Sequence, residues 1–372
     1  MASDPKGRVL IPDNSVSGLA NSMLGISPRR NLSAASPASV PSTGGVPLMP
    51  VVGLKASYAP EPSPFGGHIV AVGGGKGGIG KSLVTSSLGI SLARRGQQVV
   101  VVDADLGGAN LHTALGVSTP NLTLADFLHH RVERIEDVVI DTGIPNLGLI
   151  SGAHDFLTAA NLKHFQKTRL LNRISKIEAD FILLDIGAGI SFNIVDFFLL
   201  ADVGLLVAIP EPSSIEGAYR FLKMSFYRHL WSGLKGEKET RLIVEQAMDQ
   251  KNRLGIRTPF DLLEAVESID GEAGQRLKDL ASSFRPRLIV NQIRFPEDQR
   301  LGPSMASVCR KHLGVDIDCL GFINYDDGVW QANRRKRPFM VTRPDSGTAK
   351  SFDRTASRLL SLFESIALCT DG

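Results

Sequence analysis

A glycine-rich string between residues 73 and 82 constrains the fold of this chain more than any other feature. It reads GGGKGGIGKS, and it satisfies the pattern G-x-x-x-x-G-K-S/T from Gly75 to Ser82. The apolar run Ile69–Val72 precedes it, and the amphipathic stretch Lys81–Arg95 follows it. Because glycine is only about 7% of average composition, such a string arises by chance on the order of 10⁻⁷ per position. The sequence therefore predicts a strand, a phosphate-binding loop and a helix, in that order.

The residue types in this string suit the binding of phosphate and a metal ion. Glycines let backbone N–H groups curl around an anion, and the following helix presents its positive N-terminal end. We expect Lys81 to reach the β- and γ-phosphates and Ser82 to bind Mg²⁺. Lys76 lies at the outer rim of the loop, so we expect its charge to point outward, either to a second subunit or only to solvent. The predicted nucleotide-binding residues are Gly75, Lys76, Gly77, Gly78, Ile79, Gly80, Lys81 and Ser82.

Acidic residues follow two other apolar runs. The run that ends at Val102 continues into Asp103 and Asp105, and the run Phe181–Leu184 continues into Asp185. Parallel strands bind ligands at their carboxyl edge, so these carboxylates should lie beside the phosphate loop. Hydrolysis of a nucleotide needs carboxylates near Mg²⁺ and a group that orients the attacking water.

Asn291 follows a third apolar run, Arg287–Val290, at the same predicted edge. A side-chain amide can read the donor and acceptor pattern of a purine base. An ordinary Asx turn explains an asparagine at this position equally well, and the residues alone leave both interpretations open.

Short apolar runs alternate with amphipathic segments from residue 68 onward, and this pattern indicates a mostly parallel, twisted α/β sheet flanked by helices. The predicted strands are Ile69–Val72, Gln98–Val102, Leu147–Ile150, Phe181–Leu184, Val203–Ile209, Arg287–Val290 and Cys319–Ile323. The predicted helices are Lys81–Arg95, Thr158–Ile177, Ile190–Leu200, Ser213–His229, Gln299–His312 and Thr348–Leu368.

Two segments differ from this α/β body, which spans residues 68–372. Residues 1–67 hold ten of the chain's 20 prolines, and we expect a disordered arm because such a segment buries little apolar surface. Its one apolar cluster, around Val16 to Leu24, is either a chance grouping or a peptide that folds on a protein partner. Residues 232–284 are helical and polar in pattern, and we expect a helical insertion that either covers the surface or binds a partner.

Composition excludes several classes of protein. The three cysteines form no C-x-x-C pair, so we expect neither a disulfide framework nor a thiolate zinc site. We expect a cytoplasmic protein, because thiols stay reduced in the cytosol. A formal net charge of +3 over 372 residues gives no global case for a nucleic-acid-binding or membrane protein. Aspartates interrupt the most hydrophobic region, so no membrane-spanning helix is expected.

The string from Lys76 to Ser82 resembles the deviant phosphate loop (deviant Walker A) of the MinD/ParA ATPases. Asp103–Leu111 resembles the first switch segment of that family, and Asp185–Gly189 resembles its second. The segment Val207–Tyr219 resembles the flagellar-number regulator branch (FlhG/FleN) more than the plasmid-partition branch. The resemblance implies a P-loop NTPase that binds ATP and Mg²⁺, forms an ATP-dependent homodimer and hydrolyses ATP slowly.

The resemblance also implies roles for particular residues. Lys76 would act across the dimer, Asp105 would position the attacking water, and Asn291 would contact adenine. Ser82, Asp103 and Asp185 would serve the metal, the two aspartates through its waters. The N-terminal arm and the 232–284 insertion are departures from the basic family domain, so we expect a protein partner to bind one of them.

Two functional hypotheses remain open at this point. The first is an ATP-dependent dimerisation switch that regulates the placement or number of a cell structure, either a flagellum or other polar machinery. The second is a partition ATPase that acts on DNA or cargo. One candidate basic patch for DNA is Arg334–Arg337, and another is the predicted helix that carries Lys163, Lys167, Arg169, Arg173 and Lys176. Members of this family often end in a membrane-binding helix, and the apolar stripe between Phe352 and Ile366 is either such a peripheral membrane surface or the core face of the last helix.

Overall fold

The structure is a computed structural model that describes residues 67–105, 108–118, 120–152, 169–170, 172–234, 237–248, 255–256 and 258–370. The predicted arm up to residue 66, and the predicted helix Thr158–Ile177 as far as residue 168, lie outside the described residues. Residues 169–170 and 172–174 are helical, in agreement with the last part of that prediction.

An eight-stranded sheet forms the centre of the fold. Its strands are β1 (His68–Gly73), β2 (Val99–Ala104), β3 (Val139–Asp141), β4 (Leu147–Ile150), β5 (Phe181–Ile186), β6 (Val203–Ala208), β7 (Arg287–Ile293) and β8 (Asp318–Asn324). Their spatial order is β3-β4-β2-β5-β1-β6-β7-β8. Every neighbouring pair is parallel except β3 and β4, which are antiparallel. The predicted mostly parallel α/β fold is confirmed.

All seven predicted strands are present, and the structure adds β3 at one edge. This strand has only three residues, and none of them is fully buried, so it has no apolar run that a sequence pattern could detect. The three strands that carry predicted site residues are longer than predicted. As a result Asp103, Asp185 and Asn291 lie within β2, β5 and β7 rather than after them.

The helices connect these strands. They are α1 (Lys81–Ala93), α2 (Leu111–Ala114), α3 (Leu124–Leu128), α4 (Phe192–Leu200), α5 (Pro212–Gly233), α6 (Lys238–Met248), α7 (Pro259–Glu267), α8 (Gly271–Ser283), α9 (Leu301–Leu313), α10 (Asp327–Arg334), α11 (Phe339–Thr342) and α12 (Gly347–Thr370). Short 3₁₀ segments at Ile135–Val138 and Pro296–Arg300 precede β3 and α9.

Helices cover both faces of the sheet. On one face, Val84 and Leu88 of α1 and Phe352 and Leu359 of α12 belong to the same buried cluster as the strand residues. On the other face, the rings of Phe198 in α4 and Phe221 in α5 meet edge to face at 4.9 Å. Burial of each such side chain stabilises the fold by roughly 1.5–3 kcal/mol before chain entropy is counted.

The apolar stripe of the last helix lies in the core. Phe352, Ala356, Leu359 and Phe363 are at most 4% exposed. These residues pack on the sheet and α1, so their burial favours the core interpretation of the stripe over the membrane one. No helix in the described part of the chain is both long enough and apolar enough to cross a membrane.

The described part of the predicted insertion contains the helices α6 to α8; α6 and α8 pack against α5, and α7 packs against those two. The ring of Trp231 in α5 contacts the guanidinium of Arg241 at 3.7 Å, and its Nε1 donates to Glu245 Oε1 at 2.8 Å. The His229 Nε2 lies 3.0 Å from the carbonyl oxygen of Leu280 in α8. Helix α5 runs to Gly233, so the boundary predicted at residue 232 falls inside this helix, and the inserted helices begin at Lys238.

Candidate functional site

The phosphate loop joins β1 to α1, as predicted. Gly78 and Gly80 have φ angles of 78° and 91°, a left-handed conformation that glycine adopts without strain. A methyl group at Gly75 would lie 1.9 Å from the carbonyl oxygen of Gly217 in α5. The loop therefore needs glycine for two reasons, its own backbone shape and its close contact with a neighbouring helix.

Asn291 supports the phosphate loop through a side-chain hydrogen bond to its backbone. Its Nδ2 donates a hydrogen bond of 2.8 Å to the carbonyl oxygen of Ile79, and the side chain is 1% exposed. A methyl group at Gly80 would lie 2.3 Å from the same Nδ2 atom. The structure thus gives Asn291 a contact with the loop, and its predicted contact with adenine stays a prediction.

Lys81 and Ser82 begin α1. Lys81 is 8% exposed, and Gly80 at the N-cap supplies no side-chain hydrogen bond to the first turn. The first backbone N–H groups of a helix lack partners within it, and together with the helix dipole they favour an anion. This arrangement fits the predicted phosphate site.

Asp103 and Asp185 are side by side on β2 and β5, and they are 0% and 2% exposed. Burial, reinforced by the charge of Asp185, raises the pKa of Asp103 to about 8. Asp103 Oδ2 accepts a 2.9 Å hydrogen bond from the Leu111 backbone N–H, and Oδ1 accepts one of 3.2 Å from the Asp105 N–H. Asp103 therefore anchors the backbone at Asp105 and at Leu111 to the end of β2.

Asp185 faces the start of α1. Burial raises its pKa to about 6, while a hydrogen bond from Ser82 and the charge of Lys81 act in the opposite direction. Thr85 Oγ1, one turn further along α1, donates to Asp185 Oδ1 at 3.4 Å. Sequence reasoning missed Thr85, although its spacing of four residues from Lys81 places it on the same face of the helix.

The Asp105 carboxylate lies close to Gly187, in the glycine-containing segment Asp185–Gly189. A methyl group at Gly187 would be 3.1 Å from Asp105 Oδ1, and one at Gly108 would be 3.5 Å from Oδ2. The charge of Asp105 also contributes to the raised pKa of Asp185. The structure therefore brings together the three aspartates that the sequence predicted on separate segments.

The Ser82 hydroxyl and the Asp185 carboxylate suit a Mg²⁺ ion that takes few ligands from the protein. Among the residues that the structure describes, no group of three or more His, Cys, Asp and Glu side chains is arranged to hold a metal. Mg²⁺ is commonly bound through one or two protein oxygens, with waters and substrate phosphates completing its shell. The Ser82 hydroxyl beside the Asp185 carboxylate fits that requirement.

Lys76 contacts the start of α5. Its Nζ donates to Ser213 Oγ at 2.7 Å and to Glu211 Oε2 at 3.3 Å, and its predicted role across a dimer stays a prediction. Glu211 and Ser213 lie at the start of α5, more than 130 residues away along the chain. Sequence reasoning missed both, because only the pairing of β1 with β6 brings that turn to the loop.

A cavity of about 620 Å³ opens at the carboxyl ends of β7 and β8. Its lining includes Arg294, Phe295 and Tyr325. The Arg294 guanidinium stacks on the Tyr325 ring at 3.7 Å. Flat apolar and cationic surfaces of this kind accept an aromatic base.

A strand, a glycine loop and a helix, with aspartates on the neighbouring strands, define a P-loop nucleotide-binding protein. A family model described as "AAA domain" matches residues 67–228. The chain is 27% identical over 295 residues to the antiactivator FleN of Pseudomonas aeruginosa, a match that covers 78% of this chain and 86% of FleN. It is 32% identical over 164 residues to the flagellum site-determining protein YlxH of Helicobacter pylori, covering 42% of this chain and 53% of YlxH.

Septum site-determining MinD proteins are also similar to this chain. MinD of Helicobacter pylori is 31% identical over 153 residues, covering 41% of this chain and 56% of that protein. The chain thus spans about half the length of the MinD and YlxH relatives that it matches.

Solved structures show the same fold. The cell-division ATPase MinD of Pyrococcus furiosus superposes with a TM-score of 0.53 at 24% identity, over 80% of this chain and 99% of that one. MinD of Pyrococcus horikoshii, which was solved with Mg-ADP, has a TM-score of 0.55 at 23% identity, over 80% and 98%. The chain is therefore similar in sequence to FleN, YlxH and MinD proteins, and its fold is that of the MinD ATPases.

Proposed function

We propose that this chain is a Mg²⁺-dependent ATPase that forms a dimer on ATP and returns to monomers after hydrolysis. The observation that carries the proposal is the convergence of the phosphate loop with three aspartates at one edge of the sheet. Ser82 and Asp185 are hydrogen-bonded there, and Asp103 is next to Asp185 on the neighbouring strand. The Mg-ADP complex of a protein with the same fold supports the choice of nucleotide and metal.

The residues of the loop bind and orient the phosphates. The Lys81 ammonium pairs with the β- and γ-phosphates, and backbone N–H groups of the loop and of α1 donate to their oxygens. The Ser82 hydroxyl and, through water, the Asp103 and Asp185 carboxylates would hold Mg²⁺. Bound there, Mg²⁺ would offset the negative charge that develops on the phosphates.

Asp105 orients the attacking water. Its carboxylate lies against Gly187, between the two segments that follow β2 and β5. Lys76 acts on the phosphates held by the partner protomer, which makes hydrolysis and dimerisation one coupled event. The base occupies the end of the sheet near Asn291, where the cavity lined by Arg294 and Tyr325 opens.

We propose the number or placement of flagella as the regulated process. FleN is an antiactivator and YlxH a flagellum site-determining protein, and the FleN match covers most of both chains. The MinD relatives, which determine the septum site, make division-site placement the related alternative.

Two variants test the biochemical part. Asp105→Ala should bind ATP and dimerise but lose hydrolysis by at least tenfold, measured as phosphate release. Lys76→Ala should bind ATP as a monomer in size-exclusion chromatography with light scattering. Unchanged turnover in Asp105→Ala, or an ATP-dependent dimer of Lys76→Ala, would contradict the assigned roles.

The cellular part is tested in the cell that carries this chain. Replacing the gene with the Asp105→Ala form should change the number or position of flagella, counted by electron microscopy. Wild-type flagella together with misplaced septa would favour the division-site alternative. Affinity capture with the Asp105→Ala protein then identifies the partner, and the N-terminal arm and the helices α6 to α8 are the segments to delete.

A second candidate function, partition on DNA, rests on one surface. Arg334, Arg335, Lys336 and Arg337 are all exposed, and Trp330 beside them is 63% exposed with the Arg334 guanidinium 5.4 Å from its ring. DNA binding through these residues requires an affinity that falls steeply with salt. Replacing Arg334 and Arg335 with alanine should then lower the slope of log affinity against log salt by about 2. Fluorescence anisotropy with duplex DNA measures this slope, and no binding at low salt eliminates the candidate.

A further inference from the structure

Lys76 is held within its own chain by the turn that begins α5. Its ammonium donates to Ser213 Oγ and to Glu211 Oε2. The Lys76 and Glu211 side chains are 40% and 56% exposed, so the pair lies at the surface and is accessible to a second protein molecule.

Both halves of this contact have a rigid backbone. Glu211 is the N-cap residue of α5, and its carbonyl oxygen accepts from the N–H groups of Ser214 and Ile215 at 3.0 Å. The Ser214 hydroxyl accepts from the Ile209 N–H at 3.0 Å. On the other side, the backbone of Gly75 lies directly against Gly217. The loop and the helix are therefore in direct backbone contact, and the Lys76 side chain at the surface can change its partner without breaking that contact.

The contact also has an electrostatic consequence. Glu211 places a negative charge beside the one loop lysine that is not at the start of α1. Ser213 and Glu211 accept two of the three N–H donors of the Lys76 ammonium. A phosphate group that draws Lys76 away must therefore outcompete the Glu211 carboxylate for its positive charge.

We propose that Glu211 and Ser213 form an intramolecular latch for Lys76, and that ATP-dependent dimerisation requires Lys76 to exchange Glu211 for the phosphates of the partner's nucleotide. This inference rests on the proposed function, in which Lys76 acts across the dimer. The latch favours the monomer, so it raises the nucleotide and protein concentrations at which the dimer forms. Glu211 is a positioning residue and does not contact the nucleotide of its own chain.

The magnitude follows from the exposure of the pair. An exposed ion pair changes an equilibrium by roughly two- to fivefold. A symmetric dimer opens two latches, so removing both should strengthen dimerisation by about 4- to 25-fold.

The test compares Glu211→Gln with Glu216→Gln. Glu216 lies on the same helix and pairs with Arg220 four residues along, so its replacement removes an equivalent surface charge without touching Lys76. The dimerisation constant of each protein is measured by sedimentation velocity with saturating Mg²⁺ and a non-hydrolysable ATP analogue. Glu211→Gln should dimerise about 4- to 25-fold more tightly than the wild type, and Glu216→Gln should match the wild type.

A second measurement separates the latch from a general effect on the loop. Binding of the same analogue is measured at protein concentrations too low for dimers, where the Glu211→Gln affinity should equal that of the wild type. Ser213→Ala should shift dimerisation in the same direction as Glu211→Gln.

The outcomes are distinguishable. If the wild type stays monomeric with the analogue, the proposed function itself fails. If the wild type dimerises but Glu211→Gln dimerises equally or less tightly, the latch is wrong and the ATP-dependent dimer stands. A weaker dimer in that variant would place Glu211 in the dimer contact instead.

Discussion

The variant Asn291→Ala tests whether the buried Asn291 amide supports the phosphate loop or contacts adenine. In the structure its Nδ2 donates to the Ile79 carbonyl oxygen at 2.8 Å, and both side chains are 1% exposed. Alanine leaves that carbonyl without its partner in a buried place, which costs about 1–3 kcal/mol of the free energy of unfolding. The midpoint of thermal unfolding should fall by roughly 2–4 °C for each kcal/mol in a domain of this size.

Asn291→Ala should also weaken nucleotide binding, and a comparison of ATP with GTP shows whether the amide acts on the loop or on the base. Because Asn291 supports the loop, its loss should weaken ATP and GTP by similar factors of about five- to tenfold. A contact with adenine would instead give a loss confined to ATP. Isothermal titration calorimetry with both nucleotides measures the two affinities.

The control for this experiment is Asn333→Ala, which changes an exposed asparagine in α10. It should leave both the unfolding midpoint and the affinities unchanged. An Asn291→Ala protein that unfolds at the wild-type temperature and loses only its preference for ATP would refute the loop-support reasoning.

Three further predictions concern the loop and the inserted helices. Gly80→Ala should lower ATP affinity by more than tenfold, because its methyl group would lie 2.3 Å from the Asn291 amide. The control is Gly96→Ala: Gly96 has a similar φ, but a methyl group there would meet no atom within 4 Å. Calorimetry should show that Gly96→Ala binds ATP as the wild type does. Burial lowers the pKa of His229 from 6.5 to about 4, so the unfolded chain takes up a proton first as the pH falls. The free energy of unfolding should therefore decrease between pH 6.5 and 4, by at most about 3 kcal/mol, and urea titrations of His229→Gln should show a flatter profile. Trp231→Ala should lower the free energy of unfolding by about 3–5 kcal/mol and speed limited proteolysis within residues 238–283; a variant as stable as the wild type would mean that this ring does not hold the inserted helices.

The position and backbone shape of the phosphate loop could be predicted from the sequence because the signals for them are local. Residues 75 to 82 are contiguous, and the left-handed angles at Gly78 and Gly80 are what glycine at those positions predicts. The aspartates could be placed at the correct edge, because every parallel strand carries its carboxyl end there. That Asp103 neighbours Asp185, however, depends on β5 lying between β2 and β1, and no local pattern encodes strand order.

The contact of Lys76 with Glu211 shows the same limit more clearly. The sequence indicated a spare charge at the rim of the loop, and the structure adds that this exposed lysine contacts Glu211 and Ser213 of its own chain. Its partner comes from the turn after β6, which lies beside β1 in the sheet although 130 residues separate the two strands along the chain. Asn291 is a related case, since only the extension of β7 by three residues directs its amide to Ile79.

Helix α5 gives the inserted helices a direct mechanical relation to the nucleotide site. It is one uninterrupted helix of 22 residues, so it spans about 33 Å at 1.5 Å per residue. Its first turns contact the loop through Ser213 and Gly217, and its last turn carries Trp231, on which α6 packs. A buried ion pair of 2.9 Å between Arg228 and Asp196 of α4 holds its C-terminal third. Because protein interiors are close-packed and transmit strain, displacement of the loop by a nucleotide must either move this helix as a unit or be absorbed at the Gly75 contact. A partner that binds α6 to α8 and responds to ATP would therefore have to sense the position of α5.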